Sequence, residues 1–377
     1  MSQNPGILLT IIAFILVIGP LVFVHEFGHY LAGRLFGVKA EAFSIGFGRE
    51  IFGHTDKRGT RWKFGWLPLG GYVRFAGDMG VASEPSADWL ALPPAERAQT
   101  FPSKPVWQRA IIVAAGPVTN FIVAILILAG FAFAYGDVRT PATVGSVMPG
   151  SAAQAAGLRA GDRIVSINGR SFDRFENLAR YIAIRPRAPA QIQVVRAGQP
   201  VALAATFGAV KEGDRFGNTF EIGQLGIGPS EPVFATVSLV EAPVVGVRRT
   251  GELVRMMADT IGQVITGRRS LKDFHGPVGT AQIAGEQMTL GLDAFVALIA
   301  VVSINLGFIN LLPVPMLDGG HLFFYAIEAV RRRPLGAAAQ EWAFRGGLAA
   351  ILALIVVVTF NDLGAFGLWK NLAGLIG

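Results

Sequence analysis

The chain has 377 residues, 52% of them hydrophobic and 16% charged, with no cysteine and a formal net charge of +7. Soluble domains carry about a quarter charged residues, so a mean hydropathy of +0.48 places part of this chain in lipid. Without cysteine there are no disulfides, thiolate metal sites or cysteine nucleophiles, so a tight transition-metal site must use carboxylates and the five histidines. Its basic residues are spread along loops, with no arginine-rich arm. Attraction to anionic lipid and loop orientation explain the positive charge, and no nucleic-acid partner is expected.

The first apolar run, Ile7 to Val24, contains no charge. A bilayer core needs roughly 20 such residues in a helix. The residues before the run include no Lys or Arg, and no small-residue cleavage site follows it. A spanning helix is therefore expected rather than a cleaved signal peptide. The run passes directly into His25-Glu26-Phe27-Gly28-His29. Four residues apart on a helix, the two imidazoles share one face and can grip one metal, with Glu26 beside them to take a proton from metal-bound water. The spacing alone is weak, because it recurs by chance. Its position at the end of a spanning run, where ionisable groups are costly, strengthens it.

A second span is expected over Ala110 to Tyr135, interrupted by Gly116-Pro117, Thr119 and Asn120. The stretch from Gly136 to Thr289 then forms a long loop. Inside it, Thr140 to Phe207 alternates short β-branched runs with turn signals such as Asn168-Gly169, and a helix is expected from Phe175 to Ile184. The string from Val147 through Gly157-Leu158 and Gly161-Asp162 to Ile167-Asn168-Gly169 resembles a PDZ domain of bacterial proteases, in one copy. From Val244 to Ile265, apolar residues at mostly helical spacing with arginines between them predict an amphipathic helix.

A third span is expected over Leu290 to Leu312 and a fourth over Gly346 to Phe360. The third ends in Asn310-Leu-Leu-Pro313-Val-Pro315-Met-Leu-Asp318-Gly319-Gly320-His321. Pro313 and Pro315 should unwind the helix and free backbone groups for binding, which membrane depth tolerates only beside a cavity. A catalytic zinc keeps three protein ligands and one open position. Asp318 is the leading candidate for the third ligand, and His321 is its rival. Arginines and lysines crowd the loops between the first two spans and between the last two, so both loops should face the cytoplasm. That places His25, His29 and Asp318 near the cytoplasmic ends of their helices and the PDZ-like unit outside.

Together, His25-Glu26-x-x-His29 and Asn310-x-x-Pro313-x-Pro315-x-x-Asp318-Gly319 resemble the site-2 protease family of intramembrane zinc metalloproteases, in its bacterial regulator-of-sigma-E type. Phe43-Ser-Ile-Gly-Phe-Gly48, Gly116-Pro117-Val118-Thr119-Asn120 and His275-Gly276-Pro277-Val278-Gly279 extend the likeness along nearly the whole chain. The resemblance implies zinc on His25, His29 and Asp318, with Glu26 as general base. Asn310 and Asn120 would contact substrate backbone. It also implies a membrane-associated β-hairpin-like loop near Phe43 to Gly77 that presents substrate as an added strand. The implied substrates are single-span membrane proteins, such as anti-sigma factors or signal-peptide remnants, in a bacterial inner membrane.

The expected architecture is a polytopic α-helical membrane protein with about four transmembrane helices, an inserted α+β PDZ domain and that hairpin-like loop. Its division is 1–136 for the first membrane half, 140–207 for the PDZ domain, 230–289 for an amphipathic connection and 290–377 for the second membrane half. The PDZ-like unit reads as a size gate, with peptide capture by strand addition as its rival role. Two other classes compete: an inactive PDZ-bearing membrane scaffold, and a transporter. The transporter would need more intramembrane polarity than the chain offers.

Overall fold

The first helix shows why this chain needs a membrane. α1 (Ile7–Leu35) buries Ala13, Val17, Leu21, His25 and Gly28 along one stripe, at helical spacing. Its other faces leave Ile7 81%, Leu8 73% and Ile11 50% exposed, a surface for lipid rather than water. The computed structural model describes residues 5–77, 91–213, 219–266 and 276–365. His275 and the tail after Ala365 lie outside them. The chain divides into two compact units, 1–129 with 243–377 and 130–242.

In the first unit, α1 runs into two long bent strands, β1 (Ala40–Thr55) and β2 (Arg61–Phe75). Residues 42–45 of β1 pair on one side with 71–74 of β2 and on the other with 61–64, while 50–55 pair back onto 61–65. The bends turn two strands into four paired segments. Among the described residues, 71–75 pair on one side only, which leaves them an edge. Phe43 anchors the sheet, stacked on Trp62 at 4.4 Å and set edge-on to Phe23 of α1 at 5.6 Å. Farther out the hairpin exposes Ile51, Phe52, Phe64 and Trp66.

The helices that follow are α2 (Val106–Tyr135), α3 (Ala242–Ile265), α4 (Pro277–Thr289), α5 (Leu292–Asn310), α6 (Asp318–Arg331) and α7 (Ala337–Ala365). Among the described residues, four helical stretches are long and apolar enough to cross a bilayer: Ile7–Leu35, Val106–Tyr135, Leu292–Asn310 and Ala338–Phe360. Between α5 and α6 the chain unwinds through Pro313 and Pro315, with Met316 at φ 85°. The helix restarts at Asp318. A Cβ on Gly319 or Gly320 would strike the backbone of Leu311 to Val314, so only glycines allow the new helix to start this tightly against the break. Asp362 of α7 accepts from the N–H groups of Gly276 and Gly279 at 2.9 and 2.8 Å. A buried carboxylate thereby caps α4 at its positive end.

The connection expected over 230–289 is not one amphipathic segment. Its last part, α4, buries Gly279, Ala284 and Gly285 and packs on α1, with Ala284 in a core beside Ala13, Val17 and Leu21. Small residues at that face let the two helices approach closely.

The second unit holds a four-stranded sheet in the order Arg170–Ser171, Arg163–Ile167, Pro189–Arg196, Gln199–Thr206. Helix Phe175–Ala183 packs Leu178 and Ile182 into its core with Ile164, Ile167 and Ile192. The unit reaches beyond the expected 140–207. Ile227–Pro229 returns to pair with Val144–Val147, and Val233–Ala235 pairs with Asp137–Arg139. Strand partners so far apart in sequence leave no local signal. Asp162 accepts two hydrogen bonds from Arg196, both at 2.8 Å, which hold its carboxyl below the usual range.

Candidate metal centre

His25 and His29 project from one face of α1, and Asp318 is the first residue of α6. His25 Nε2 lies 3.3 Å from His29 Nε2. Asp318 Oδ2 lies 3.1 Å from the first and 3.5 Å from the second. Zinc bonds of about 2.0–2.2 Å in a tetrahedron require ligand atoms about 3.3–3.5 Å apart. Two of the three observed edges match that spacing, and the His25–Asp318 edge is about 0.2 Å shorter.

Charge and proton placement point the same way. His29 Nδ1 lies 2.9 Å from the carbonyl of Ile112. A carbonyl can only accept, so Nδ1 carries the proton and Nε2 presents a bare lone pair to the cluster. Asp318 Oδ2 is buried without a hydrogen-bond donor. His29 Nε2 and Asp318 Oδ2, 3.5 Å apart, thus turn lone pairs towards each other, and a cation between them removes the repulsion. Among the described residues, these three form the one His/Asp/Glu group with metal-binding spacing. The residues therefore fit zinc.

α2 supplies the support behind the two histidines. Ile112, Gly116 and Asn120 stand at intervals of four along one of its faces. Ile112 holds His29, and the Asn120 amide lies 3.1 Å from His25 Nδ1. Between them, a Cβ on Gly116 would run into both Nε2 atoms. Gly28 of α1 is equally constrained, because a Cβ there would meet the carbonyl of Ala115 at 2.5 Å. Ser303 Oγ on α5 donates to the Asn120 carbonyl at 2.8 Å, which joins three helices behind the site.

The Asn120 side chain is fully buried behind His25 rather than on the cavity wall. The expected contact from Asn120 to substrate backbone is corrected accordingly. The family resemblance implied a role for Asn120, but sequence could not tell which partner the fold would bring to it. Asn310 does line the cavity, with Glu26, His29, Asp318, His321 and Tyr325. Pro313 and Pro315 do not line it. They form the break that brings Met316 and Leu317 to its wall. His321 faces the same cavity with its ring 5.1 Å from Phe344, outside the three-atom cluster. Ile112, Gly116 and Ser303 went unread as support. Ile112 acts through its backbone, which leaves no trace in residue type.

The cavity measures about 680 Å³ and its far wall is the edge segment of β2, from Gly70 to Val73 with Phe75. A Cβ on Gly71 would meet Glu26 Cγ at 2.9 Å. Only a glycine lets the strand lie this close to the glutamate.

A family model described as Peptidase family M50 matches residues 13–354. A protein of Agrobacterium fabrum that carries a zinc-metalloprotease name is 47% identical over 360 residues, covering 94% of this chain and 96% of its own. The metalloprotease MmpA of Caulobacter vibrioides is 38% identical over 395 residues, covering 98% and 99%. Among solved structures, a PDZ domain of the SdrC-like protein from Listeria monocytogenes aligns with 24% of this chain and 88% of its own, at 22% identity and a TM-score of 0.20.

Proposed function

The chain belongs to peptidase family M50 and is a membrane zinc metalloprotease, and from that premise we propose that it cuts peptide bonds within the membrane-spanning segments of single-span proteins. The observation that carries this reading is one cavity that joins His25, His29, Asp318 and Glu26 to an unpaired strand edge, in a unit built of apolar helices.

His25, His29 and Asp318 would hold the zinc, which when bound would polarise a carbonyl and lower the pKa of a coordinated water to about 7. Glu26, one residue from His25 on the same helix, takes the water's proton and returns it to the leaving nitrogen. A spanning substrate hides its peptide groups in helical hydrogen bonds, so it must unwind before it is cut. The outward-facing backbone groups along 71–75 replace those lost bonds if the unwound stretch adds as a strand, with Val73 N–H giving up its bond to Glu26. Asn310, on the cavity wall, offers a further amide to that backbone.

Anti-sigma factors and signal-peptide remnants fit as substrates, in a bacterial inner membrane. The basic loops orient the site towards the cytoplasm and residues 130–242 towards the outside. That unit contributes none of the site residues, in keeping with a size filter on substrates.

The test is a single-span polypeptide incubated with the purified zinc-loaded enzyme, its products mapped by mass spectrometry. New termini within the apolar segment are expected. Cuts confined to the polar flanks would refute the proposal.

Asn120 takes the role of orienting His25. With its Oδ1 on Nδ1–H it would leave Nε2 free for zinc, and the opposite amide orientation leaves that oxygen buried without a partner. Asn120→Leu should weaken zinc binding by about 10–100-fold, the usual worth of an outer-shell partner. Asn120→Asp, which still accepts that proton, should restore most of it. Titration with a competing chelator reads both. Equal affinity in Asn120→Leu and the wild type would remove Asn120 from this role.

A further inference from the structure

A second cavity, of about 300 Å³, lies between α1 and the hairpin. Ile15, Gly19, Pro20 and Phe23 form its α1 side, and Ile45 and Phe64 close it from the sheet; among the described residues, no charged one lines it. Val22 and Gly70 belong to the walls of both this slot and the cavity that holds Glu26 and the three proposed zinc ligands. The two spaces therefore adjoin. At Gly19 a Cβ would meet nothing within 4 Å, so the absence of a side chain there leaves room that packing does not use.

We propose that this slot is a specificity subsite, which receives one large apolar side chain of the substrate, of leucine or phenylalanine size. The inference rests on the reading of the site as a protease that takes an unwound, strand-like substrate. Helical rise of 1.5 Å per residue puts Val22 about 6 Å and Gly19 about 10 Å along α1 from Glu26. An extended chain advances about 3.3 Å per residue. The side chain that enters the slot thus belongs to a residue two or three positions from the bond being cut. Strand alternation then turns its immediate neighbours away from the slot. Continuity with the catalytic cavity favours substrate over a lipid tail as the occupant. Lipid tails are as apolar as the slot, so discrimination comes from packing contacts rather than from escape from water. A preference of about five- to tenfold is expected, at the lower end of what apolar pockets achieve.

The experiment uses the full-length zinc-loaded enzyme and one single-span test polypeptide. Each position within four residues of its mapped cleavage bond is set to Phe or Ala in turn. One position, two or three from the bond, should show the preference in kcat/KM, and Gly19→Leu should bring the Phe:Ala ratio there to about one. A ratio that survives Gly19→Leu, or a wild type indifferent at every position, overturns the subsite. A second measurement does not depend on turnover. Since the chain has no cysteine, Gly19→Cys in the Glu26→Gln background can be disulfide-linked to single cysteines along the same polypeptide. Cross-linking confined to positions two or three from the bond supports the subsite. No cross-linking, or equal cross-linking at every position, means the slot holds a lipid tail or nothing and defeats it. If the wild type cuts the polypeptide only in its polar flanks, the reading of cleavage within the spanning segment fails. That outcome is separate from the loss of a preference.

Discussion

Glu26→Gln is expected to abolish peptide hydrolysis while the protein keeps one zinc per chain. Glutamine preserves the shape and volume of the side chain, and therefore its fit against Gly71, where a Cβ would lie 2.9 Å from Glu26 Cγ. It removes the one carboxylate on the cavity wall, among the described residues, that is not one of the three clustered ligands. Positioned acid–base groups are worth about 10²–10⁴-fold, and Glu26 serves both in water attack and in leaving-group protonation. A loss of about 10³-fold or more follows, at the upper part of that range. Product formation by mass spectrometry and zinc by elemental analysis check the two halves. Turnover within about tenfold of the wild type would remove Glu26 from the base role. Loss of zinc in the variant would mean that the carboxylate holds the metal rather than the proton.

The parts of this site that sequence made legible are those that depend on residue type at fixed spacing. His25, Glu26 and His29 sit on one helix, so their relation follows from helical geometry alone. Asp318 could be nominated because two prolines before it forbid a continuous helix, and a broken helix at membrane depth needs a reason. That it, rather than His321, completes the cluster depends on where α6 restarts. The contact of Gly319 and Gly320 with the backbone of Leu311 to Val314 sets that point. Asn120 shows the limit of such reading. The family resemblance set it near the site as a substrate contact, yet its partner came from α1, 95 residues away. The same holds for the second unit, whose strand Ile227–Pro229 pairs with Val144–Val147 across about 80 residues. Helical spans are written locally in hydropathy, whereas strand partners and helix–helix neighbours are chosen by the whole fold.

Asp318→Ala should cost far more zinc affinity than His321→Ala, and more than the roughly 10–100-fold expected when an outer-shell partner such as Asn120 is lost. The reason is the geometry of the donor atoms. Asp318 Oδ2 lies 3.1 and 3.5 Å from the two histidine nitrogens and so completes a triangle of tetrahedral dimensions. His321 shares the cavity, but its ring packs 5.1 Å from Phe344 and outside that triangle. Removal of Asp318 also removes the one negative charge in the triangle, so the cation loses electrostatic compensation as well as a bond. Because α1 and α2 hold the histidines independently of Asp318, through Ile112 and Asn120, the variant should still fold and insert. Zinc content after dialysis against a weak chelator, compared across wild type, Asp318→Ala, His321→Ala and Asn120→Leu, gives the ranking. The expected order of loss is Asp318 first, Asn120 next and His321 last. If His321→Ala empties the site while Asp318→Ala keeps its zinc, then the third ligand is the histidine one turn along α6, and the helix must rotate from its position here to deliver it.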